Sequence, residues 1–166
     1  MTATFKKHPL PLLGLAAAGL LAIAYGFQAA GYLPCELCWW QRYPYFAIVG
    51  LSVIGMLLGR RVVAFFIALI GLLYAVDLGI AIFHVGVEQQ WWAGLDSCSG
   101  LIDIKAMSAE ELLEYMSTEQ PPRCDEAAWD FAGVSMAGWN GVAALAMTLI
   151  SVIAFHESRQ TKRLLP

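Results

Sequence analysis

The sequence predicts an all-α integral membrane protein: a four-transmembrane-helix bundle in one domain, with two loops on the outer face, the second containing a short amphipathic helix. Three observations predict it. The 166-residue chain is 59% hydrophobic and 14% charged, whereas a soluble domain carries about a quarter charged residues. Its mean hydropathy of +0.62 is gathered into four apolar runs of membrane-crossing length. Seven of its ten basic residues fall in the two termini and in the connection between the second and third runs.

The first expected span covers residues 10–31, Leu10 to Gly31, without a charged residue. It is long enough to cross a bilayer, and its alanines and glycines suit close packing against other helices in lipid. Lys6 and Lys7 precede it, and Ala22-Ile23-Ala24 resembles a signal-peptide cleavage site. The apolar run continues past that point, so a retained span is expected. A lipid-attachment reading of Leu33-Pro34-Cys35 fails because Pro34 is not a small residue suited to such a site. Pro34 is expected to stop the first helix, and residues 32–38 form the first outer loop.

The second span, 39–59, starts with Cys38 near its head and places Trp39, Trp40, Tyr43 and Tyr45 at the membrane interface. Arg60-Arg61 makes a tight basic turn. The third span, 62–84, is interrupted by Asp77 and ends at His84. The second outer loop takes residues 85–132, and the fourth span 133–155. Within the loop, Ser108-Ala109-Glu110-Glu111 reads as a capping box, with Met107 and Leu112 as a hydrophobic staple. Leu112, Leu113 and Met116 give that helix an apolar side, fit either to pack on its own loop or to lie on lipid headgroups. Pro121-Pro122 ends it.

Orientation follows from the positive charges. Lys6, Lys7, Arg60, Arg61, Arg159, Lys162 and Arg163 share one side, seven of the ten basic residues. The other side holds Arg42, Lys105 and Arg123, with eleven of the thirteen acidic residues. The positive-inside rule places both termini in the cytoplasm and both loops outside. No basic patch with interleaved aromatics appears, which argues against nucleic acid as a partner.

All four cysteines lie in the outer loops: Cys35 and Cys38 in the first, Cys98 and Cys124 in the second. An even number confined to that face indicates disulfide chemistry in an oxidising compartment. Cys98 and Cys124, taken alone, are read equally well as a structural closure. Cys35 and Cys38 are not, because a bridge across two residues constrains little. A zinc site of four cysteines is disfavoured: the second pair is widely spaced, and oxidation competes with thiolate ligation. No metal is expected. A c-type haem needs His after the second cysteine, and Trp39 stands there. Cys38 at a helix N-terminus, with Arg42 one turn on, is placed for a stabilised thiolate. No flavin or nucleotide fingerprint is present, so a lipid-soluble quinone fits the position as electron acceptor.

The run Pro34-Cys35-Glu36-Leu37-Cys38-Trp39-Trp40-Gln41-Arg42 resembles the Cys-x-Leu-Cys-x-x-Gln-Arg signature of the disulfide bond formation protein B family, DsbB. Cys124, followed by Trp129-Asp130-Phe131, is similar to that family's second-loop motif. The resemblance covers essentially the whole chain. It implies a bacterial inner-membrane oxidase that reoxidises a periplasmic thioredoxin-fold dithiol protein, DsbA, and passes electrons to ubiquinone or menaquinone. It also implies redox-active disulfides Cys35–Cys38 and Cys98–Cys124. By position, the reduced partner would attack Cys98, the released Cys124 would attack Cys35, and Cys38 would be freed to engage the quinone. Arg42 matches the arginine that supports the quinone and the thiolate, and His84 matches a histidine near the quinone.

Three other readings compete with this one. A vitamin K epoxide reductase-like protein is also a quinone-linked helical bundle, but its loop pair precedes its Cys-x-x-Cys, the reverse of the order here. A membrane assembly or chaperone factor with only structural disulfides leaves the Cys38–Arg42 arrangement unexplained. A DsbB-like paralogue with a dedicated client would keep the chemistry and change the partner. Asp77 lies about 10 Å along the helix from His84 on a shared face; it is read either as a proton-handling residue or as a hydrogen-bonding cap for a neighbouring helix.

Overall fold

The computed structural model describes residues 9–59, 61–95, 108–110, 113 and 122–164. Four long helices account for most of them: α1 (Pro9–Ala29), α2 (Glu36–Leu58), α3 (Val63–Glu88) and α4 (Met136–Leu164). A two-stranded hairpin, β1 (Asp130–Phe131) and β2 (Val134–Ser135), precedes α4. Among the described residues, three helices are long and apolar enough to cross a membrane: α1, α3 and the Met136–Gln160 part of α4. In α2, Glu36, Gln41 and Arg42 fall within the first two turns and dilute the apolar character of the helix.

The helix ends correct several expected boundaries. α1 is stopped by Gly31, not by Pro34. Gly31 has φ +98°, the left-handed region that glycine enters without a Cβ clash. The Gly31 N–H donates to the Gln28 carbonyl and the Tyr32 N–H to the Phe27 carbonyl, both at 3.1 Å. The Tyr32 and Phe27 rings close this cap edge to face at 5.8 Å. α3 continues one turn past His84 to Glu88, so His84 is an interior helical residue. α4 starts at Met136 rather than 133, because residues 130–135 form the hairpin, and it runs on to Leu164. Of the expected loop helix, Ala109, Glu110 and Leu113 are helical. Glu111, Leu112 and Met107, needed for its capping box and staple, lie outside the described residues, as does Arg60.

The helices pack in chain order, α1 on α2, α2 on α3, and α3 most extensively on α4. Small residues set the approach. A Cβ on Gly14 would lie 2.7 Å from the Ser52 Cβ, and one on Gly71 would lie 3.0 Å from the Ser151 Cβ. This is how helices come close in lipid, where apolar burial alone gives little drive to associate. Leu13, Ile48, Ile67, Ile70 and Tyr74 fill the interior. Leu15, Leu57, Phe65 and Ile153 face outward, as expected of surfaces that meet acyl chains.

A polar network crosses this interior. Asp77 is fully buried, and its Oδ2 accepts a 3.0 Å bond from the Asn140 side chain of α4. Tyr45 donates to Asn140 Oδ1 at 2.6 Å, and Tyr74 donates to the Leu13 carbonyl at 2.8 Å. Tyr45 is therefore a core residue linking α2 to α4, not an interfacial aromatic as expected; Trp40 and Tyr43 are exposed. Asp77 bonds to a side chain inside α4, so it does not cap an open helix end.

Asn140→Leu strands two buried partners at once. It should lower stability in detergent by about 1–3 kcal/mol, while Val142→Leu, on the outward side of α4, should stay within roughly 0.5 kcal/mol. Reversible unfolding of both variants checks this; equal stability would show that the network contributes nothing.

Candidate active site

The site is built around the N-terminus of α2. Cys35 is the N-cap, a position usually held by Ser, Thr, Asp or Asn. Its Sγ accepts the Cys38 N–H at 3.3 Å. The helix then returns Cys38 over Cys35, and the Cys35 thiol donates to Cys38 Sγ at 2.9 Å. Both are thiols here. The hydrogen bond to Cys38 raises the Cys35 thiol well above the ordinary range, and burial adds to this. The same bond holds Cys38, which precedes the expected 39–59 span, below that range. Burial opposes the shift, and the charge of Arg42 assists it.

α3 brings His84 to this pair. His84 Nε2 lies 3.6 Å from Cys35 Sγ and 3.8 Å from Glu88 Oε1, one turn along the same helix. Glu88 in turn accepts a hydrogen bond from the Ser135 hydroxyl, at the end of the hairpin. His84 Nδ1 and Gln41 Nε2 are buried without a hydrogen-bond partner among the described residues.

Arg42 is almost fully buried, and its guanidinium is directed to α1 rather than onto the thiols. It donates to Gln28 Oε1 at 2.7 Å and to the Ala24 carbonyl at 3.3 Å. The Tyr25 and Trp39 rings lie under it at 4.7 and 4.8 Å. Arg42 therefore acts on Cys38 through its field and locks α2 against the C-terminal end of α1.

The second loop reaches the same place. Cys124 is fully buried, is disulfide-bonded, and shares one apolar cluster with Cys35, Leu37 and Val87, flanked by Cys38, Phe83 and Leu95. Cys98 lies outside the described residues. Beside Cys124, Arg123 makes a two-pronged pair with Asp125 at 2.6 and 3.0 Å. Its N–H donors hold Asp125 below the usual carboxylate range. Trp129 packs on Phe27 of α1 at 4.9 Å and stacks with Phe131. Ala132 and Gly133, both at positive φ, form the tight turn of the hairpin. Trp129-Asp130-Phe131 thus anchors the loop end, which keeps Cys124 over the first pair.

Of the residues expected from sequence, Cys35, Cys38, His84 and Cys124 meet at one end of the bundle, with Arg42 just behind. Gln28, Glu88 and Ser135 were not anticipated. Gln28 is a strongly polar residue in an apolar run, and Glu88 stands at i+4 from His84; those were the available signals.

Because its thiolate is favoured, Cys38 should be alkylated by iodoacetamide at neutral pH well before Cys35 in the reduced protein. The pH–rate profile for Cys38 should rise below the range of a free thiol. Cys35→Ala removes the largest stabilising donor and should shift that profile upward, more than Arg42→Met does. Mass spectrometry of the peptides checks the order; faster labelling of Cys35 would contradict it.

The chain matches the family described as disulfide bond formation protein DsbB over residues 6–154. It is similar to disulfide bond formation protein B of Marinobacter nauticus, with 31% identity over 139 residues, covering 79% of this chain and 80% of that one. The protein of the same name from Dechloromonas aromatica is 28% identical over 155 residues, covering 86% and 88%. That of Xanthomonas campestris is 31% identical over 166 residues, covering 92% of each. No solved structure matches the chain. With the family match running nearly end to end and the signature cysteines gathered at one buried site, the chain belongs to the DsbB family of disulfide bond formation proteins.

Proposed function

We propose that this protein is a thiol oxidase of the bacterial inner membrane. It reoxidises a periplasmic, DsbA-like thioredoxin-fold dithiol protein and passes the electrons to ubiquinone or menaquinone. The observation that carries this reading is that Cys124, in a disulfide, is buried in the same cluster as the Cys35/Cys38 dithiol. In this reading all four long helices span, both termini are cytoplasmic and both cysteine loops are periplasmic, supported by the charge distribution.

The sequence offers Cys98 as the disulfide partner of Cys124. A partner thiolate attacks Cys98, which forms the mixed disulfide and releases Cys124. Cys124 attacks the Cys35–Cys38 bridge at Cys35 and leaves Cys38 as thiolate. The second partner thiol then resolves its mixed disulfide, and Cys98 resolves the Cys124–Cys35 bond. The partner is oxidised, the Cys98–Cys124 bridge is restored, and two electrons with two protons rest on Cys35 and Cys38.

The residues around Cys38 fit a quinone: Gln41 offers a buried N–H without a partner among the described residues, and Trp39 an aromatic face beside the Arg42 charge. When bound, the quinone supplies a two-electron, two-proton acceptor. Cys38 presents the thiolate, and Arg42 balances its charge. Re-forming the Cys35–Cys38 bridge releases the electron pair and returns the protein to its oxidised state.

Purified protein mixed with a reduced thioredoxin-fold dithiol protein should form quinol from ubiquinone or menaquinone. Serine at any of Cys35, Cys38, Cys98 or Cys124 should reduce turnover at least about a hundredfold. Cys124→Ser should also accumulate the partner joined to Cys98, which identifies the client. No quinol with either quinone refutes the oxidase reading.

A further inference from the structure

The reduced first pair has a second capability. Cys35 Sγ, Cys38 Sγ and a ring nitrogen of His84 all lie within 4.8 Å of one another. In a tetrahedral zinc site, Zn–S is about 2.3 Å and Zn–N about 2.0–2.1 Å, so a sulfur–nitrogen edge is about 3.6 Å and a sulfur–sulfur edge about 3.8 Å. Cys35 Sγ and His84 Nε2 already stand 3.6 Å apart. The two sulfurs are 2.9 Å apart, so they must separate by about 0.9 Å to take up that geometry. Cys38 lies in the first helical turn and is only partly buried, where a small side-chain rotation can supply the difference. The fourth position is left to solvent: Glu88 Oε1 is 3.8 Å from His84 Nε2 but lies outside the three-residue cluster and is held by the Ser135 hydroxyl.

We propose that the reduced protein binds one thiophilic divalent cation, of the Zn²⁺ or Cd²⁺ class, through Cys35, Cys38 and His84. A water molecule completes the shell. The chemistry of the donors agrees with the cation. Two thiolates and a neutral imidazole are the soft and borderline ligands that zinc and cadmium select. Two thiolate charges also cancel the double positive charge, which a largely buried site requires. Binding displaces two thiol protons. It involves no electron transfer, so the cation leaves when chelated and the dithiol is recovered.

The site exists only in the reduced state. A Cys35–Cys38 bridge uses both sulfurs as disulfide partners and removes two of three protein ligands. Conversely, the bound cation holds both sulfurs and prevents the bridge from re-forming. If the oxidase reading holds, the cation is a reversible inhibitor that captures the enzyme after it has received electrons. Binding itself depends only on the three side chains, so it can succeed or fail whatever the fate of the oxidase reading.

The test uses the full-length chain in detergent with Cys98→Ser and Cys124→Ser, so that only the first pair can ligate. After reduction and removal of the reductant under inert gas, Zn²⁺ is titrated against a chromophoric chelator, and Cd²⁺ is followed by its thiolate charge-transfer absorbance. The reduced chain should take up one Zn²⁺, and the oxidised chain none. His84→Ala should weaken binding at least about tenfold, with the thiolate–cadmium band retained but the affinity reduced. Failure of the reduced chain to bind, equal uptake in both redox states, or an unchanged affinity in His84→Ala would each overturn the proposal. The comparison of redox states needs no substitution at the site and stands even if His84→Ala does not fold.

Discussion

Cys35 capping α2 is the contact on which the rest of the site depends. One sulfur closes the helix by accepting the Cys38 N–H, bonds to the Cys38 sulfur, and faces His84 of α3. It also shares its burial with Cys124 of the second loop. A serine cap would close the helix equally well. Only a cysteine makes the capping atom a redox centre, and it leaves Cys38 in the first turn, where the helix dipole and Arg42 favour its thiolate. The asymmetry between a buried, protonated Cys35 and a thiolate-prone Cys38 follows from that single placement.

The bundle holds this arrangement through short-range fit. Gly14 and Gly71 let the helices approach, and the Tyr45–Asn140–Asp77 network fixes α2 and α3 against α4. At the end that carries the cysteines, the extra turn of α3 carries Glu88 to the Ser135 hydroxyl and so joins His84 to the hairpin. The hairpin and Trp129 hold the loop against α1. Arg42 does the same for α2 through Gln28 and the Ala24 carbonyl. The loop cysteine is thereby held over the membrane pair by contacts to three separate helices.

Much of this was legible in the sequence because its signals are local. Four apolar runs, the basic turn and the Cys-x-x-Cys spacing with Arg42 depend on neighbours in the chain. The missed features depend on contacts between distant elements. Tyr45 reads as interfacial by its place in the chain, yet Asn140, far along the sequence, draws it inward. Pro34 is the obvious breaker, but Gly31 reaches positive φ three residues earlier and ends the helix first. The turn from His84 to Glu88 stays helical because Glu88 finds Ser135, a partner that hydropathy does not reveal. Ala132-Gly133 was a readable turn signal, overshadowed by the apolar run that follows it. The spacing puts Arg42 one turn after Cys38 on α2, but the direction of its guanidinium toward Gln28 is a matter of tertiary packing.

Cys124 and Cys35 share one buried cluster, near enough to exchange a disulfide. The direct measurement is mild oxidation of the full chain carrying Cys38→Ser and Cys98→Ser, which leaves only that pair, followed by non-reducing peptide mass spectrometry. An intramolecular Cys35–Cys124 disulfide is expected in the majority of chains. Two free thiols, or cross-linking only between molecules, would contradict it.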